Sequence, residues 1–187
     1  MTLHQGIKAG KYRLKIDDYA CLSDTGIFGD AGTELIAGEI FIMSPEWRPH
    51  MRVKDELAYR LRRALEDQAS HLFVGTGGSV ALGEDEMPRP DIVVTDEIDG
   101  DNAVPGKSVA LIVEVSASTL DYDLTAKAAI YAAAGIPEYW VADVNARVIH
   151  QMWRPERDAY SATRDFSFGD VVAAATISQL QITTETL

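Results

Sequence analysis

Residues 109–143, VALIVEVSASTLDYDLTAKAAIYAAAGIPEYWVAD, decide the fold. Val109 to Val115 is short and almost wholly apolar, the pattern of a central strand covered on both faces, with Glu114 as the exception. After it, Leu124, Ala128, Tyr131 and Ala132 share one stripe and predict a helix over Asp121 to Ala134. Gly135 stands at its end and Pro137 lies just beyond, a combined stop signal. Glu138 to Val144 then reads as a further strand.

Upstream, His71 to Leu82 and Pro90 to Thr95 are rich in Val, Ile or Leu and predict two more extended segments, with Asp91 an acid in the second. Pro49 opens a longer helix to about Gln68, in which Val53, Leu57, Leu61, Ala64 and Leu65 recur at three- and four-residue steps. Before it, ELIAGEIFIM (34–43) alternates around Ala37 and Gly38 and predicts a tight hairpin pairing Ile36 with Glu39 and Glu34 with Phe41. Residues 12–32 suggest a short helix and loops. Downstream, Arg147 to Trp153 and Ala159 to Thr163 predict a second hairpin turning at Pro155 to Asp158. Strand runs mixed with two long helices indicate an α/β or α+β sandwich, a curved sheet between helices. With no repeat and no linker, residues 1–187 are expected to form one domain.

The 187 residues are 47% apolar and 25% charged, which excludes a disordered chain. The longest aliphatic runs, Val109–Val113 and Ala128–Ala134, fall far short of a membrane span of ~20 residues. The N-terminal MTLHQGIKAGKYRLK has no apolar run behind it, so no secretory signal is expected. The lone Cys21 cannot form an internal disulfide, and a cytoplasmic location is the expectation. A net charge of −12 is the opposite of a nucleic-acid binder's footprint. Its distribution is uneven: Glu84 to Asp101 holds eight acids against Arg89, whereas Arg48 to Arg63 holds six basic residues against Asp55 and Glu56. That layout suits a metal-dependent phosphodiesterase, and it equally suits solubilising acids beside a solvated helix face.

The sequence lacks a Walker loop, a dinucleotide fingerprint, zinc-type cysteine pairs and a Gly-x-Ser-x-Gly elbow. Gly-rich GTGGSVAL at Gly75 lies inside a strand pattern and reads as a bulge or close backbone approach. His4, His50, His71 and His150 show no ligand spacing, and only His50, at the entrance to the basic helix, lies near other candidate polar groups. Asp91 in RPDIVV and Glu114 in LIVEVS need a cation, a hydrogen-bonding partner or an exposed strand end, because an isolated carboxylate is costly to bury. A magnesium ion would satisfy both, and strand ends meeting solvent would serve as well. Lys127 lies on the inward helical stripe and can reach Glu114, or it can pair with Asp123 at i−4 on the surface. Glu34 and Glu39 share one face of the predicted ribbon, as two surface acids or around a cation.

Pro90-Asp91 followed by a strand carrying Glu114 resembles the PD-(D/E)XK nuclease superfamily. ELIAGEIFIMSP with His50 following, PDIVV, LIVEVSASTLDYDLTAKAAIY and GIPEYWVAD together resemble one branch, the Uma2 family, grouped with restriction endonucleases. The likeness spans about Glu34 to Asp143. In the superfamily the third position of the E-x-K element is a lysine; here it is Ser116, and Lys127 stands where the branch carries a lysine instead. The resemblance implies a restriction-endonuclease-like αβββαβ sandwich, with the N-terminal and C-terminal hairpins added. It also implies Mg²⁺ or Mn²⁺ held by Asp91, Glu114 and the Val115 carbonyl, with Lys127 orienting water or stabilising charge and Glu39 and Glu34 adding acidic contacts. His50, Arg60 and Arg63 are the expected substrate contacts, DNA the expected partner, and a homodimer the expected assembly. The rival expectation is a nuclease-like module without cleavage, which the net charge and Ser116 favour.

Overall fold

The computed structural model describes residues 10–97 and 99–187; His4 lies outside them. A six-stranded sheet, in the order β10-β9-β8-β7-β5-β3, forms the centre. Its strands are β3 (Phe73–Thr76), β5 (Ile92–Thr95), β7 (Val109–Ser116), β8 (Glu138–Asp143), β9 (Val148–Glu156) and β10 (Ala159–Ser167). Only β7 and β8 run parallel; the remaining neighbours are antiparallel. A parallel pair needs a crossover, which the helical segment between them supplies. That segment runs from α3 (Leu120–Tyr122) through a π-helical turn (Asp123–Lys127) into α4 (Ala128–Ala133), and Gly135 at φ +75° takes the chain out of it.

Strand alternation divides the sheet's side chains into two cores. Ile92, Val94, Leu111, Val113 and Trp140 pack with Leu57, Leu61 and Leu65 of α2 (Arg48–Asp67). Val93, Ile112, Tyr139 and Val141 pack with Ala128 and Tyr131 on the opposite face. The order α2, β3, β5, β7, α3/α4, β8 is the expected αβββαβ arrangement, a mixed α+β fold. Among the described residues, no helix is long and apolar enough to cross a membrane.

The N-terminal part contributes α1 (Ile16–Asp24) and a separate ribbon of β1 (Thr33–Ile36) and β2 (Glu39–Ile42). The register pairs Ile36 with Glu39 and Glu34 with Phe41, as the alternation predicts. Ala37 and Gly38 both adopt positive φ, the requirement of a tight hairpin turn. Gly38 also has no room for a side chain, since a Cβ there would sit 2.7 Å from the Arg13 Cβ.

Two expectations are corrected, and one element lies beyond them. The extended segment over 71–82 breaks at Gly77, whose φ of +63° leaves the strand region. Its second part, β4 (Val80–Ala81), pairs instead with β6 (Val104–Pro105) in a ribbon of its own. The C-terminal hairpin is longer than expected, its strands meeting across Arg157–Asp158. Finally, residues beyond 167 form another hairpin, β11 (Val171–Ala173) and β12 (Gln181–Thr183), whose Val172, Leu180 and Ile182 complete the core beneath α2.

Candidate active site

The site begins where a ladder stops. Pairing of β5 with β7 ends at Ile92 and Val113, and the same register would next place Asp91 opposite Glu114 and Pro90 opposite Val115. Proline has no N–H to donate, so the ladder cannot continue through Pro90. The side chains of Asp91 and Glu114 take over: the Val115 amide donates to Asp91 Oδ2 at 2.8 Å, and the Asp91 amide donates to Glu114 Oε2 at 3.3 Å. Both carboxylates are thereby fixed at the end of two central strands.

The π-helical turn delivers the cation. Lys127 and Tyr131, four residues apart on one helical face, both reach Glu114 Oε1, at 2.9 Å from Nζ and 2.7 Å from the phenol Oη. A π turn is an uncommon geometry that recurs at functional sites. Lys127 Nζ also lies 3.3 Å from Glu34 Oε2, which accepts the Arg89 amide at 3.2 Å. From α2, His50 Nε2 approaches Asp91 Oδ2 at 3.1 Å. Glu46, one turn earlier, comes within 3.9 Å of His50 Nδ1 and pairs with Lys54. Glu34, Glu46, His50, Asp91, Glu114 and Lys127 line a cleft of about 220 Å³.

The electrostatics follow from burial. Desolvation pushes the Glu114 carboxyl up to about 7; Lys127 opposes the rise, and Asp91 and Asp123 add to it. Asp123 is likewise raised by burial, against a 2.7 Å hydrogen bond donated by the Thr119 hydroxyl. Burial alone would depress Lys127, yet Glu114, Glu34 and Asp123 together outweigh it and raise its pKa, so it stays an ammonium. His50 shows the same balance: desolvation lowers it, and Asp91 more than restores it. Tyr131 is held well above its ordinary value by burial and by Glu114, and remains a donor.

Asp91, Glu114, Lys127, Glu34, Val115 and His50 all line this one cleft. Glu39 does not join them. It shares a ribbon face with Glu34 by register, but it sits beside the turn with its side chain 54% exposed, 3.8 Å from Lys11. Nor do Arg60 and Arg63 line the cleft. Arg60 binds the Thr183 carbonyl, the Thr186 hydroxyl and Glu56, and Arg63 pairs with Glu66 and Asp67 along its own helix. Sequence reasoning passed over Glu46, whose i, i+4 spacing to His50 was available as a signal, and Tyr131, which looked like an ordinary core residue of its stripe.

The donor set fits a hard divalent cation. Both Asp91 contacts fall on Oδ2, leaving Oδ1 available, and Glu114 Oε2 accepts only the long bond from the Asp91 amide. The register also leaves the Val115 carbonyl without a ladder donor at Pro90. Glu46, His50 and Asp91 offer a further set of ligand atoms lying within 4.8 Å of one another, and His50 Nδ1 is buried with no hydrogen-bond partner among the described residues.

A family model described as "Uma2: Putative restriction endonuclease" matches residues 16–185. Among solved structures, the fold is similar to the crystal structure of "a putative nuclease belonging to DUF820" from Anabaena variabilis, with a TM-score of 0.66 and 16% sequence identity over 92% of this chain and 96% of that one. No curated protein matches.

Proposed function

Because the chain belongs to the Uma2 family, we propose that its cleft hydrolyses phosphodiester bonds of DNA, with Mg²⁺ or Mn²⁺ as the resident cation. The observation that carries this reading is the convergence of Asp91, Glu114 and Lys127 where the β5–β7 ladder ends. Asp91, Glu114 and the Val115 carbonyl would hold the cation, which when bound polarises a phosphoryl oxygen and acidifies a water.

The chain's own residues do the rest. Lys127 Nζ stays charged and is held between Glu114 and Glu34, so its charge is in place before substrate arrives. There it orients the attacking water or offsets negative charge developing on phosphorus. Lys127 thus supplies from the helix the ammonium that Ser116, two residues after Glu114, cannot. Burial raises the Glu114 carboxyl, and its ionisation as pH rises makes it the stronger ligand. His50, kept close to Asp91, is placed to donate to a phosphate oxygen. Two copies of the chain acting on opposite strands would account for a homodimer.

The test is nicking and linearisation of plasmid DNA with Mg²⁺ or Mn²⁺, by wild type and by Asp91→Asn, Glu114→Gln and Lys127→Met. Calorimetric titration of the same proteins with Mn²⁺ runs in parallel. Cleavage abolished in all three variants, with Mn²⁺ binding lost on Asp91→Asn, supports the reading; metal-independent or Asp91-independent cleavage overturns it. A second reading, a nucleic-acid or assembly module without cleavage, is favoured by two observations. The net charge is −12, and Arg52 and Arg60 of the basic helix are occupied by backbone carbonyls of the C-terminal segment. Absence of both cleavage and Mn²⁺ binding would select it.

A further inference from the structure

We propose that the strand taken by this cleft has unpaired bases at the scissile position, with Trp47 as a stacking platform for one base and Arg89 as the clamp on a neighbouring phosphate. The proposal rests on the phosphodiesterase reading above. Trp47 precedes α2 and is 74% exposed at the cleft mouth, where Ile42 is 75% exposed and Phe41 also reaches solvent. Single exposed apolar residues are ordinary, but three around one cleft mark a contact surface. Phe41 and the Tyr122 ring pack at 6.5 Å between centroids. This mouth therefore offers flat apolar faces, the feature on which a nucleobase stacks.

On the other side of Asp91 lies a second hollow of about 630 Å³, sharing the wall of residues 42–46 with the first. Arg89 lines it. Its Nε donates to the Gly77 carbonyl at 2.6 Å, which fixes the guanidinium, and no carboxylate among the described residues pairs with it. A fixed, half-buried and uncompensated guanidinium suits a phosphate. The two hollows thus place an aromatic face and a cation on either side of the candidate metal ligands.

The rest of the surface argues against duplex tracking. Lys54 in the second hollow is neutralised by Glu46, and Arg52 and Arg60 are engaged internally. With a net charge of −12, phosphate contacts alone give little affinity, so the bases must supply much of it. Within a duplex, base faces are covered by their neighbours, and only an unpaired or extruded base can stack on Trp47.

Trp140 is buried and Trp153 half-buried, so Trp47 carries the binding-sensitive part of the fluorescence. In EDTA, the full chain is titrated with a single-stranded oligodeoxythymidylate of about twelve nucleotides, a blunt duplex of that length, and an abasic strand with the same phosphates. The single strand should quench fluorescence and bind at least about five-fold more tightly than either other probe, and Trp47→Ala should abolish that advantage while Trp47→Phe keeps part of it. Arg89→Gln should weaken the single strand and the abasic strand alike. Equal affinity for duplex and single strand, an unaltered affinity in Trp47→Ala, or a self-association that Trp47→Ala dissolves would overturn the proposal. Cleavage is scored separately. Duplex cleavage that depends on Asp91 but not on Trp47 removes the platform and leaves the nuclease; single-strand preference without cleavage removes the nuclease and leaves the platform.

Discussion

Glu114 and Glu138 are both glutamates inside apolar strands of one sheet, 4% and 0% exposed, and they are treated in opposite ways. Glu138 is surrounded by neutral donors. Its Oε1 accepts from Trp140 Nε1, Gln151 Nε2 and the Ala175 amide, and its Oε2 from the amides of Ala175 and Thr176 and the Thr176 hydroxyl. Glu114 meets a buried cation and a phenol on one oxygen, one long bond on the other, and further carboxylates nearby. A satisfied acid joins elements together; an acid left short of partners among like charges is poised to take one up.

Breaking the satisfied acid should have the largest effect. Glu138→Gln puts an amide donor against donors and leaves at least one buried N–H unpaired. The expected cost is about 3 kcal/mol or more, a fall in Tm of roughly 6–12 °C. Urea denaturation of the metal-free protein measures it, and a cost below about 1 kcal/mol would remove the distinction between the two acids.

Glu114→Gln should behave differently, and pH exposes the difference. The folded pKa of Glu114 lies above its unfolded value, so between 4.5 and about 7 the folded state binds more protons and stability falls as pH rises. His50, also raised, adds stability below its unfolded pKa that is lost as pH climbs through its folded one, so the two act in the same direction. In EDTA, wild type should therefore lose stability from pH 5 to pH 8 relative to Glu114→Gln, while saturating Mn²⁺ should restore it preferentially at pH 8. Parallel Tm curves for the two proteins would show that Glu114 is as well compensated as Glu138.

The sequence made the acid beside a buried cation visible and the acid among neutral donors harder to read. Glu114 interrupts an apolar run, and Lys127 sits on an inward stripe where a charge must have a reason. Glu138 opens its strand, and its partners are neutral groups at 140, 151, 175 and 176 that no periodicity connects to it. The hairpin register was readable residue by residue, yet register alone could not separate Glu34 from Glu39. The first lies beneath the helical segment that carries Lys127, and the second at the solvated tip. The strands of residues 171–183 are three residues each, too short for alternation to register.

Asp91 stands between the two kinds of acid, since Oδ2 replaces a ladder acceptor and Oδ1 has no partner among the described residues. Asp91→Asn can keep the bond from the Val115 amide through its carbonyl oxygen while losing charge against His50. The expected change without metal is small, about 1 kcal/mol or less, whereas the Tm gain on adding Mn²⁺ should disappear. A Mn²⁺ response that survives Asp91→Asn would place the cation elsewhere.

The same contrast extends, at its weakest, to two arginines on α2. Arg60 reaches across to the Thr183 carbonyl and the Thr186 hydroxyl and so ties the C-terminal segment to the helix; Arg63 meets only Glu66 and Asp67, at 4.0 and 3.5 Å in solvent. Replacing Arg60 with Ala should cost about 1–2 kcal/mol, because charge-assisted bonds to ordered backbone are lost. Replacing Arg63 should change stability by less than about 0.5 kcal/mol, as exposed helical pairs contribute little. If nucleic acid lies along this helix face, each phosphate contact removed would flatten the salt dependence of binding by ~0.7 for a single strand and ~0.9 for B-DNA. The cleft lined by Trp47 and Asp91 and the hollow beside it lined by Arg89 lie elsewhere, so Arg63→Ala should leave that slope unchanged while Arg89→Gln lowers it by about one contact. A slope reduced by Arg63→Ala would move the binding path onto the basic helix and make its charge functional, despite the pairing with Glu66 and Asp67.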